Sequence, residues 1–120
     1  NSLGASGAVF GLIGALAVFL YRNSRLLGSI GRSMLANVVF IIILNLSLST
    51  LPGIDIWGHV GGLVTGLAIT WILGPVFQIL QDPFTGQATV VNRNPFSRRL
   101  PLAFCLLLVL FLAALWWITR

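Results

Sequence analysis

The sequence contains no lysine and no glutamate. Its charges are seven arginines, Asp55 and Asp82, which make 8% of its 120 residues. Soluble domains carry roughly 25% charged residues. A chain this poor in charge cannot cover a water-facing surface, so a soluble globular domain is excluded. One histidine, His59, and one cysteine, Cys105, complete the list of reactive rarities. One His, one Cys and two Asp do not make a metal site, and no motif asks for a cofactor. Cys105 lies inside an apolar run, so no disulfide within the chain is implied.

What is present is hydrophobic: 58% of the residues, with a mean hydropathy of +1.01. Four apolar runs stand out, at about 5–21, 33–51, 56–73 and 101–119. Each approaches the length needed to cross a bilayer core. The expected fold is all-α, a polytopic transmembrane helix bundle with four spans. Residues 1–75 form a three-span core, 76–100 a polar linker and 101–120 an extra helix. Pro52-Gly53 and Gly74-Pro75 bound the third span, and Trp116-Trp117 gives the last one an interfacial belt.

The arginines set the orientation. Arg22, Arg25 and Arg32 lie in the first loop, and Arg93, Arg98 and Arg99 in the third; the second loop has none. The positive-inside rule puts loops 22–32 and 75–100 inside, and the N-terminus and Asp55 outside. The net charge of +5 is therefore read as topology, and no nucleic-acid partner is expected. The chain opens at Asn1, without a Met or a basic n-region, so no signal peptide is read. The expectation is the C-terminal part of a longer protein.

Two runs open with small residues around a polar side chain. The first carries Gly4-Ala5-Ser6-Gly7, with Gly7, Gly11 and Ala15 at four-residue spacing. The third carries His59, with Gly58, Gly62 and Gly66 at the same spacing. Such stripes let membrane helices approach backbone to backbone. Both heads lie on the outer side, so packed stripes would bring Ser6 and His59 to one level. His59 can be a satisfied structural histidine, part of a proton path or a general base. A serine hydroxyl is a poor nucleophile until a base takes its proton. Asp55 lies one turn before His59 and reads mainly as a helix cap, and Asp82 is on the wrong side. The chemistry on offer is a Ser-His dyad. A soluble hydrolase elbow is excluded, because Ser6 is followed directly by Gly7 and the fifth position is Ala8. Asn37, Asn45, Ser47 and Ser49 in the second span are expected to make interhelical hydrogen bonds.

These residues resemble the rhomboid family of intramembrane serine proteases. Gly4-Ala5-Ser6-Gly7 is similar to its G-x-S-G motif, and His59, Gly62 and Gly66 to its H-x-x-G-x-x-x-G motif. The resemblance covers about residues 1–75, the C-terminal part of the rhomboid core, with 101–120 as an extra helix. It implies a cofactor-free endopeptidase that cleaves transmembrane protein substrates. Ser6 would be nucleophile and His59 base. Gly4 and Gly7 would shape the oxyanion motif beside the Ser6 N–H, and Phe10 would pack on the histidine. Residues 51–57 would cap the site. The partners implied are the substrates, the lipid bilayer and the missing N-terminal rhomboid helices, which carry further oxyanion donors. The implied location is multi-pass, in a bacterial (including cyanobacterial) cell membrane or an organellar membrane. The rival expectations are an inactive rhomboid-like membrane binding protein and a transporter or channel fragment. The latter would place more polar residues at mid-membrane.

Overall fold

The computed structural model describes residues 3–120. Four helices and one hairpin follow in order: α1 (Leu3–Arg22), α2 (Ser24–Leu48), α3 (Ile56–Leu73), β1 (Phe77–Gln81), β2 (Ala88–Asn92) and α4 (Phe96–Thr119). All four helices are long and apolar enough to cross a membrane. Their exposed faces carry Leu, Ile, Val, Phe and Trp. Lipid tails solvate such faces, so the thin core is no defect there. The molecule measures 63 × 33 × 16 Å, which is a flat layer of helices.

Helix α1 packs chiefly on α3. Gly7 lies against Gly58 and Gly62, Gly11 against Gly62 and Gly66, and Gly14 against Leu63 and Leu67. Further along, Tyr21 stacks on Trp71. The partners advance together along both chains, so α1 and α3 run parallel. A Cβ on Gly62 or Gly66 would overlap the carbonyl oxygen of Gly7 or Gly11. Helix α2 returns antiparallel and packs Val38 on Ala17 and Leu20, flanked by Leu27, Leu35 and Ile42.

Two segments differ from the sequence reading. The loop expected over 22–32 is mostly helical. Only Asn23 and Gly28 leave helical geometry, Gly28 at φ 59°, where a residue without Cβ is unstrained. Gly31 stays helical and buried against Leu27. Helix α2 thus runs over Ser24–Leu48 with a kink at Gly28, where the sequence reading has a loop to 32 and a span over 33–51. The stretch read as a polar linker contains an antiparallel hairpin, with Phe77 opposite Asn92 and Gln81 opposite Ala88. Its turn, Asp82 to Gly86, closes through Gly86 N–H donating to the Asp82 carbonyl at 2.8 Å, with Gly86 at φ 70°. The Phe84 N–H, and after it the Thr85 hydroxyl, hold the Asp82 carboxyl below the usual carboxylate range.

Two side chains, Asn23 and Asn94, join the hairpin and its flank to the helices, and a third, Arg22, joins α1 to α3. Asn23, 1% exposed, donates to the Phe19 and Pro75 carbonyls at 2.9 and 3.0 Å and accepts from the Phe77 N–H at 2.8 Å. Asn94 donates to the Ile72 and Gly74 carbonyls at 3.0 and 2.8 Å. Arg22 donates to the Trp71 carbonyl at 2.6 Å. The last carbonyls of a helix have no intrahelical partner. At α3 these three residues serve the end of the helix and the turn after it. Removing Asn23 strands buried polar groups, at about 1–3 kcal/mol. Asn23→Leu is expected to lower the stability of the intact protein in detergent by that amount. Phe84→Ala, at the 96% exposed hairpin tip, is expected to leave it unchanged. Equal melting of both variants would contradict this account.

Candidate active site

The site is built where α1 and α3 begin. Gly53, at φ 90°, turns the chain after Pro52. Asp55 then caps α3, its carboxylate accepting the Gly58 N–H at 3.0 Å. A carboxylate suits the positive end of a helix. A Cβ on Gly58 would lie 2.6 Å from that carboxylate, so the smallness of Gly58 serves the cap, and it touches α1 through its carbonyl.

His59 follows in the first turn. Its ring stacks on Phe10, with centroids 4.4 Å apart and planes 19° from parallel. Its Nδ1 lies 2.6 Å from Ser49 Oγ, at the end of α2. The imidazole is thus held from two sides by two other helices. Phe10 is buried, while Ser6 and His59 are half-buried.

Ser6 lies one helical turn before Phe10. Residues four apart share a helix face, so Ser6 sits on the face of α1 that carries Phe10 to His59. The backbones of Gly7, Gly58 and Gly62 meet at the same level. Among the described residues no hydrogen bond joins Ser6 to His59. The structure therefore gathers Ser6, Gly7, Phe10, Gly58, His59 and Gly62 at one end of the helix pair, with Gly11 and Gly66 one turn deeper. Gly4 has open space around it. Among the described residues no three of His, Cys, Asp and Glu gather as a metal would require.

A family model, the rhomboid domain, matches residues 1–76. The chain belongs to the rhomboid family. Among its relatives, RHOMBOID-like protein 6, mitochondrial, of Arabidopsis thaliana is 36% identical over 98 residues, covering 82% of this chain and 30% of that protein. RHOMBOID-like protein 1 of the same plant is 40% identical over 78 residues, 65% of this chain and 19% of the relative. Rhomboid protease GluP of Bacillus subtilis (strain 168) is 41% identical over 75 residues, 61% of this chain and 14% of the relative. The rhomboid chain thus spans less than a third of the length of these relatives. No solved structure matches it.

Ser49 was not among the candidate site residues. Of the polar residues in the second span, Asn45 and Ser47 bond back to their own helix, to the Ile41 and Ile43 carbonyls at 2.8 Å each. Ser49 crosses to another helix. The interhelical bond expected of these residues is thus made by Ser49 and not by Asn45 or Ser47. Only the proximity of the second span's end to the head of the third could have suggested that its partner is His59.

Proposed function

We propose that this rhomboid chain carries the nucleophile and base of an intramembrane serine endopeptidase that cleaves transmembrane protein substrates. The observation that carries the reading is the lodging of His59 between Ser49 and Phe10, the residue one turn after Ser6 on α1. In this reading His59 takes the Ser6 hydroxyl proton as the oxygen attacks the scissile carbonyl. The same proton then passes to the leaving amine. Water, activated by His59, releases the acyl group and regenerates Ser6. The Ser6 N–H and further donors outside this chain would stabilise the developing oxyanion. No cofactor is needed.

An inactive membrane-binding relative is the second reading, and the absence of a Ser6–His59 hydrogen bond favours it. A fluorophosphonate probe separates the two in the intact protein. The protease is expected to be labelled at Ser6, with labelling lost in His59→Ala. An unlabelled, folded protein would support the binding reading.

A further inference from the structure

Ser49 has one hydroxyl proton and two close polar contacts. Its Oγ lies 2.7 Å from the Asn45 carbonyl oxygen and 2.6 Å from His59 Nδ1. The residue is 3% exposed, so water does not share the work. A carbonyl oxygen can only accept. If the hydroxyl proton pointed at Nδ1, two oxygen lone pairs would face each other at 2.7 Å. Both contacts are hydrogen bonds only when the hydroxyl donates to Asn45 and the imidazole donates to the hydroxyl.

The neutral imidazole carries one N–H, and the bond made by one ring nitrogen sets the role of the other. We infer that Ser49 is a positioning residue that holds the His59 proton on Nδ1 and leaves Nε2 free to take the proton of Ser6. This inference rests on the dyad reading above. No carboxylate takes this part: the Asp55 side chain is committed to the Gly58 N–H. Stacking on Phe10 fixes the plane of the ring, and Ser49 fixes its rotation within that plane. Because Ser49 ends α2, the base is oriented by a helix that carries neither catalytic group.

The test uses the intact protein with a single-span substrate. Ser49→Ala is expected to lower kcat about tenfold with KM nearly unchanged, since the wrong tautomer cannot act as base. Ser49→Thr keeps the hydroxyl and is expected to restore most of the rate. Ring 15N spectra, with the His59 signals assigned by their loss in His59→Gln, are expected to show the Nδ1–H form in the wild type and a mixture in Ser49→Ala. Wild-type kcat with an unchanged ring spectrum in Ser49→Ala would overturn the inference, as would a folded Ser49→Thr as slow as Ser49→Ala. Cleavage retained in Ser6→Ala would instead sink the dyad reading, and the tautomer spectrum would still report on Ser49.

Discussion

Ser6→Ala and His59→Ala, each made in the intact protein, are expected to reduce cleavage of a single-span substrate to background while insertion and expression stay normal. In the proposed dyad the nucleophile and its base act as one unit, so either loss would remove nearly all the chemistry, on the order of 10⁴–10⁶ in kcat. The double variant is expected to be no slower than the slower single variant. The side chains removed are small or lie at the helix heads, and half-burial limits the structural cost. His59→Ala also removes the stack on Phe10, so its folding is to be checked by thermal melting beside Ser6→Ala. Cleavage by Ser6→Ala above a trace would remove the dyad. Graded losses that multiply in the double variant would show two independent roles.

The second large effect is expected from one methyl group. Gly61 and Gly62 are neighbours on α3, yet a Cβ on Gly61 meets nothing within 4 Å, and one on Gly62 overlaps the Gly7 carbonyl. That oxygen belongs to the backbone and cannot rotate aside. Gly62→Ala must therefore push α1 from α3, at about 1–3 kcal/mol for overpacking. Displacing a reacting group by about an ångström can cost roughly 100-fold in rate. Gly62→Ala is expected to lose both stability and about that factor in kcat. Gly61→Ala is expected to stay within about 0.5 kcal/mol of the wild type. Since alanine is the better helix former, propensity alone would favour both variants. Indistinguishable melting and turnover would show that the α1–α3 contact is not close.

Hydropathy and the glycine spacing made much of this fold legible. The four apolar runs match helices because a run of about 20 apolar residues satisfies its own backbone in lipid only as a helix, a barrel strand being about half that length. The third span lies where the breakers placed it, since Pro52-Gly53 and Gly74-Pro75 leave little freedom. On α1, Gly7 and Gly11 touch α3, Ala15 lines the same groove between the two helices, and Gly14 adds a contact with Leu63 and Leu67 that the stripe did not include. The hairpin escaped notice because Gln78, Gln81, Asp82-Pro83 and Thr85-Gly86-Gln87 read as punctuation. They flank two short β-rich runs, Phe77-Gln78-Ile79-Leu80 and Thr89-Val90-Val91, joined by a turn. At the site, Ser6, His59 and Phe10 carry a spacing that can be read along one helix or between two matched ones. Ser49 has no such spacing, because its role depends on where the end of α2 falls beside α3.

The joint made by Asn23 and Asn94 ties the end of α3 to the α1–α2 turn and the hairpin through carboxamides, with Arg22 as a third donor. Carboxamides neither gain nor lose a proton across the range proteins tolerate, and a guanidinium keeps its charge throughout. Bonds from amides to backbone carbonyls are also little weakened by salt, unlike exposed ion pairs. The bonds at this end of the helix pair are therefore made by groups whose charge does not change. The stability lost in Asn23→Leu is therefore expected to be the same at low and at high salt, as thermal melting at both would show.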